Sequence, residues 1–267
     1  MDVSRAATRR QVVRAGIGTG ILAATGLAPD EVTFWAEDLF SGRGARHRAD
    51  EARPVLTLSA GLALGLLLSD RGPHALTGRV RYSATQLVRS SPVCAWHVQD
   101  GLSVAQLGDA ALRRADATAT NLLVARAGGA AALTAFCRRL GDRRTRVDRA
   151  APDSCTGAPW DPQDTTTTAA LARTYGALLL GRALAPGARS QLLDLLPTTG
   201  LTGGWAVTHA VASGRYGTAA LVGTARRGRR QVLVAATVRA GQPAVLGSRS
   251  AVTQVVVALL EGLDRTW

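Results

Sequence analysis

Between Ser103 and Gly141 apolar residues recur at helical spacing three times over: Val104, Leu107 and Ala111; Ala119, Leu122 and Leu123; Leu133, Phe136, Cys137 and Leu140. Three such stretches in close succession predict a buried all-helical core. Outside it the period changes. Glu31 to Leu39 alternates like a strand, and Ser41-Gly42-Arg43-Gly44 marks a turn into a second short strand ending near Ala49. Gly61 to Ser69 continues as an apolar helix. Thr165 to Leu180 predicts a helix whose threonines after Asp164 suit a capped start, with Leu171, Leu178 and Leu179 facing a core, and Ser190 to Leu196 predicts another. Trp205 to Gly214, Gly217 to Arg226 and Gln231 to Arg239 read as strands, the last two as a hairpin. Ser250 to Leu263 closes the chain as an amphipathic helix that buries Val252, Val255, Val256, Leu259, Leu260 and Leu263.

Composition narrows the chemistry. With 267 residues the chain can bury a good core. All 32 basic residues are arginine, and the formal charge is +13. Arginine stays protonated near neutral pH and cannot shuttle a proton, so any mechanism that needs a titrating amine is excluded. The arginines are scattered except at Arg226-Arg227-Gly228-Arg229-Arg230, whose central glycine between two β-like runs reads as a hairpin tip. No nucleic-acid recognition motif accompanies that tip, which favours a solvated surface over polyanion binding. Cys94, Cys137 and Cys155 lack metal-ligand spacing, and no cofactor is implied; whether a pair forms a disulfide is open. At the N-terminus, Thr8-Arg9-Arg10-Gln11-Val12-Val13-Arg14 before the glycine-dotted run from Ala15 to Ala28 is similar to a twin-arginine export signal. Residues 1–28 are therefore read as that signal or as the first helix of the domain, with export slightly favoured over a cytoplasmic place. The run is too short and glycine-rich for a transmembrane helix.

Several separate stretches resemble class A serine β-lactamases, in order and with nearly preserved spacing. Thr118-Ala119-Thr120-Asn121-Leu122-Leu123, then Gly128-Gly129 through Leu133-Thr134-Ala135-Phe136 to Arg139-Leu140-Gly141-Asp142, is similar to that family's central helices. The resemblance covers roughly residues 31 to 265. It implies an α/β (α+β) fold: an antiparallel five-stranded sheet flanked by helices, in a domain spanning 29–267. An all-helical subdomain of about 65–197 would be inserted between sheet segments 31–50 and 205–240.

The same resemblance locates the family's catalytic positions, and there the sequence departs from it. In the family a buried helix opens with Ser-x-x-Lys after an aromatic-Pro pair; serine attacks the lactam carbonyl and lysine shares its proton. Counting from Pro54 puts Thr57 and Ala60 at those places, whereas counting back from Val80-Arg81-Tyr82-Ser83 gives Val55 and Leu58. The Ser-Asp-Asn triplet becomes Ala115-Asp116-Ala117. Ser90 stands where an aromatic gate covers the pocket. In the family's omega loop a glutamate directs the deacylating water; its position is Ala151, before Pro152, and the following asparagine position is Cys155, while Arg149 and Asp164 keep the loop's clasp. Lys-Thr-Gly becomes Ala210-Val211-Ala212. The connection from Pro197 to Trp205 is about a dozen residues shorter than is usual, which implies an altered cleft rim.

Core words persist while the chemical stations fail together, which points to a catalytically degenerate member, a pseudoenzyme. Its cleft would hold a β-lactam, a peptidoglycan fragment or a protein partner, as a monomer without a nucleic-acid partner or a membrane span. A second reading is a divergent hydrolase or acyl-transfer enzyme with Thr57 as nucleophile, Asp116 or His209 as base, and Ser213 and Arg215 as oxyanion or carboxylate partners. Four of these candidates have a structural role to set against this: helix capping for Thr57, a helix-junction hydrogen bond for Asp116, a satisfied strand residue for His209, and a surface position for Arg215.

Overall fold

A computed structural model describes residues 16–241 and 246–265, with side chains from residue 20 onward. In chain order the elements are α1 (Gly16–Thr25), β1 (Val32–Asp38), β2 (Gly44–His47), β3 (Arg53–Pro54), α2 (Ser59–Arg71), β4 (Arg79–Val80), β5 (Leu102–Ser103), α3 (Val104–Arg114), α4 (Ala117–Arg126) and α5 (Ala130–Arg139). They continue with β6 (Thr165–Thr166), α6 (Thr168–Leu179), α7 (Pro186–Leu195), β7 (Thr198–Gly200), β8 (Ala206–Ser213), β9 (Ala219–Arg227), β10 (Arg230–Val238) and α8 (Arg249–Arg265). The main sheet runs β2-β1-β10-β9-β8-β7, antiparallel throughout. It holds the five strands expected and adds a sixth, β7, three residues long, which pairs Thr198 with Thr208 at the edge. Two further two-residue pairings lie outside that sheet: β3 with β6, which joins the segment before α2 to the one before α6, and β4 with β5 within the helical subdomain.

Alternation along β1 sorts side chains between two cores. Val32, Phe34 and Ala36 pack in a cluster with α8, whereas Trp35 joins the cluster under α2, α3 and α6. Strand β10 divides likewise, Val232, Val234 and Ala236 against Leu233 and Ala235. Both faces of these central strands are therefore covered, so β1 is buried almost throughout, where its sequence pattern suggests a strand with one solvated face.

Three expected details shift. Helix α1 forms despite its glycines and packs beside α8, with Ile21 only 2% exposed; the Thr8–Arg14 motif lies outside the described residues. Helix α6 starts at Thr168, because Thr165–Thr166 pair with Arg53–Pro54 and Thr167 is the cap, its Oγ1 accepting from Ala170 N at 3.1 Å. The arginine hairpin tip is not uniformly solvated. Arg227 donates to Asp264 through Nη1 and Nη2 at 2.6 and 2.8 Å, Arg230 joins the same carboxylate at 2.6 Å, and both guanidiniums stack over Trp205 at 4.7 and 5.2 Å. Burial pushes the Asp264 carboxyl up, but donors from Trp205, Arg230 and Arg227 outweigh it and hold it below the usual carboxylate range. Only Arg226, Gly228 and Arg229 stay exposed. Cys94, Cys137 and Cys155 are free thiols, and burial pushes the first two up to about 12. No described helix is long and apolar enough to cross a membrane.

Candidate functional site

The turn before α2 packs against β8, and α2 in turn packs against α4. Leu56–Leu58 form a single 3-10 turn that leads into α2, and Leu56 takes a left-handed backbone (φ 55°) to do so. The turn is fixed from beneath, where Tyr175 Oη donates to Leu58 O at 2.7 Å. Gly61 makes room for that contact, since a Cβ there would collide with Tyr175 Oη. From the other side β8 closes in: a Cβ on Gly214 would lie 2.6 Å from Leu56 Cδ2 and 2.7 Å from Cys155 O. Within the turn Thr57 is partly exposed, whereas Val55 and Leu58 are each 1% exposed. Of the residues that the two ways of counting reach, Thr57 is the one with solvent exposure, while Val55 and Leu58 are buried. Thr57 caps nothing: α2's N-cap is Leu58, without a side-chain cap.

Asp116 does not face a substrate. It is fully buried; Oδ2 accepts from Val93 N at 2.8 Å and Cys94 N at 2.9 Å, and Oδ1 accepts from Ala119 N at 2.8 Å. One carboxylate thus caps α4 and anchors the 93–96 turn. Ala115 before it is left-handed (φ 55°) and Ala117 after it begins α4, its N–H donating to Ser90 O at 2.9 Å. Ser90 is exposed at its own left-handed position (φ 63°).

The loop from Arg149 to Asp164 is clasped as its sequence suggests. Arg149 Nε meets Asp164 Oδ2 at 2.6 Å, and Nη2 adds Asp161 at 2.6 Å. Asp164 is 1% exposed, and its Oδ1 accepts from Asp148 N and Arg149 N at 2.7 and 3.0 Å. Asn121 on α4 grips the loop's near end twice: Nδ2 donates to Ala151 O, and Oδ1 accepts from Ala151 N, both at 2.8 Å. Ala151 is 5% exposed and carries no group that takes a proton.

His209 stands apart from Thr57. On β8 it shares parity with Val207 and Val211, which pack toward α8, while Ala210 and Ala212 join the cluster under the helices. Its Nδ1 lies 3.0 Å from Val207 O on its own strand. Burial lowers its pKa, and Arg249 lowers it further against the Val207 contact. The imidazole is accordingly expected neutral at pH 7, titrating below its ordinary value near 6.5. A folded pKa below the unfolded one means that this group's contribution to stability is complete above about pH 6.5 and declines as pH falls through the folded value. Two-dimensional NMR of the ring protons checks this; a midpoint above 6.5 would contradict it. Ser213 Oγ is buried without a partner, and Arg215 is exposed at the strand's end. Among the described residues no hydrogen bond joins Thr57 to Asp116 or His209, so the structure does not assemble the triad that a threonine nucleophile needs. No cluster of three or more potential metal-ligating side chains occurs among the described residues.

Sequence reasoning missed Arg53, which is 1% exposed beneath the 149–164 loop and pairs with Glu51 at 2.6 Å. The signal available was Glu51, two residues before it in the sequence.

The profile of the beta-lactamase enzyme family matches residues 21–208. Beta-lactamase AST-1 of Nocardia asteroides is 41% identical over 216 residues, covering 75% of this chain and 69% of that protein. A Streptomyces cellulosae beta-lactamase is 31% identical over 300 residues, covering 96% of each. The match to beta-lactamase CTX-M-97 of Escherichia coli, 40% identical, spans 63% of that relative's length. Among solved structures, a variant of the last common ancestor of Gram-negative bacteria beta-lactamase class A superposes with a TM-score of 0.86 at 32% identity, covering 95% of this chain and 100% of that one. A Burkholderia vietnamiensis beta-lactamase gives 0.84 at 30%, covering 95% and 99%.

Proposed function

This chain belongs to the class A beta-lactamase family, and from that premise we propose that it is a pseudoenzyme, which keeps the family's cleft as a binding surface and does not turn over β-lactams. The observation that carries the proposal is the chemistry present at the cleft. Thr57, Ala60, Ala115, Ala117, Ala151 and Ala210 occupy the places where the family sets its nucleophile, proton carriers and charge stabilisers. Five of the six side chains are methyl groups. The hydroxyl of Thr57 has no lysine one helical turn on, and there is none anywhere in the chain.

Positioning outlasts the chemistry. Asn121 still holds Ala151 by both amide atoms, and Arg149 still clasps Asp164, so the omega loop closes over the cleft as a shaped wall. Groups that act as a unit lose nearly the full rate when one is removed, and here several are absent together. What remains is a positioned loop and a partly exposed Thr57 without proton-transfer partners, which suits binding rather than turnover.

Benzylpenicillin at millimolar concentration is the direct probe of binding. The expected result is saturable, reversible saturation transfer from protein to ligand, with the lactam ring intact after a day, and loss of that transfer in Thr57→Trp, whose indole fills the cleft. Ring opening above the buffer rate would overturn the non-catalytic half of the proposal. Intact ligand without saturable transfer would overturn the β-lactam half.

A further inference from the structure

Beneath the 149–164 loop lies a cavity of about 30 Å³, lined by Arg53, Arg149, Arg239, Ser154, Thr156 and Gln163 together with Asp161. Three arginines line it, and they are not equally compensated. Arg149 is held by Asp164 and Asp161, each at 2.6 Å, so the Asp161 carboxylate that lines the cavity is already engaged. Arg53 is 1% exposed; Nη1 donates to Glu51 at 2.6 Å and Nη2 to Asp30 O at 3.1 Å, but Nε is buried without a partner. Arg239, just past β10, donates its backbone N–H to Glu31 O at 2.8 Å, and among the described residues its half-buried guanidinium has no ion pair or hydrogen bond.

We propose that this cavity is a binding site for one halide-sized anion, chloride in practice, held between Arg53 Nε–H and the Arg239 guanidinium. Size sets the class of ligand. A single water needs about 10–15 Å³ of such space, so 30 Å³ admits a monatomic anion. Charge decides between anion and water. Water would satisfy the orphan donor, yet it would leave the buried Arg53 cation facing the positive Arg239. Burial first, and Arg239 next, lower the Arg53 pKa against Glu51, which is the electrostatic mark of that mismatch. An anion removes both the unpaired donor and the like-charge repulsion. It also joins three segments: β3, the end of β10 and the return of the loop through Gln163. Anion occupancy therefore holds down the wall that shapes the cleft. This site is separate from the cleft proposed above and does not depend on it.

Two measurements test it together. Crystals soaked in sodium bromide should show an anomalous peak between Arg53 and Arg239. Melting in sodium chloride should exceed melting in sodium gluconate at equal ionic strength by about 2–4 °C, the gain expected of a ligand that binds only the folded state. Arg239→Gln, at a half-exposed position that leaves the fold intact, should abolish both. No peak, a peak without an anion effect in solution, or an anion effect that persists in Arg239→Gln would each overturn the proposal.

Discussion

Replacing Asp116 by alanine is expected to destabilise the protein by about 4 kcal/mol, a large share of the stability of an ordinary domain. The carboxylate is fully buried and accepts from the backbone N–H groups of Val93, Cys94 and Ala119 at 2.8–2.9 Å. Alanine leaves three buried donors orphaned, each costing about 1–3 kcal/mol and not fully additive, and it removes the α4 cap as well. Asp116→Asn is the informative control. Its amide keeps the volume but turns an NH2 toward at least one N–H, so roughly half the loss should remain. Urea denaturation reads both values. A loss below about 1 kcal/mol for the alanine variant would show that the three bonds are replaceable, and Asp116 would then be free for another role.

Asp164→Ala should cost about 3 kcal/mol and, unlike the first variant, should act on the loop. The side chain, 1% exposed, accepts from Asp148 N and Arg149 N and pairs with Arg149 Nε. Removing one partner of a buried ion pair leaves the other charge uncompensated, a loss of about 3–5 kcal/mol where burial is complete and less here, because Arg149 keeps Asp161. Alanine must also adopt the left-handed backbone that Asp164 occupies at φ 51°. Local opening should expose the bond after Arg149, so trypsin should nick the chain there about tenfold faster than in the parent. An unchanged nicking rate would mean that the Asn121 grip alone fixes the loop.

How far the sequence could be read follows the range of the forces involved. The helices of the central core announced themselves because Val104, Leu107 and Ala111, and their counterparts in α4 and α5, repeat at the period that one buried face requires. Strand β1 was legible as a strand but not as a central one, since cover on its second face comes from α8, more than two hundred residues away. Thr165 and Thr166 carry a helix-start composition, yet their backbone groups are claimed by Arg53 and Pro54 across the chain. At the site, the resemblance to the family's motifs pointed to Thr57, Ala151 and the Arg149–Asp164 clasp. It could not place the side chain of His209, which strand parity turns toward α8, nor reveal that the Asp116 carboxylate is spent on three backbone donors. Arg227 and Arg230 looked like surface charge because their partners, Trp205 and Asp264, lie on other elements. Arg53 was overlooked because an arginine is seldom fully buried.

The central claim is that the cleft has shape without catalysis, and hydrolysis of a chromogenic cephalosporin by purified protein, with intact mass recorded after the incubation, tests it most directly. The account predicts a rate indistinguishable from buffer and an unmodified mass, the same for the parent and for Thr57→Val. Turnover well above buffer, or an acyl adduct that disappears in Thr57→Val, would contradict it and make Thr57 a working nucleophile.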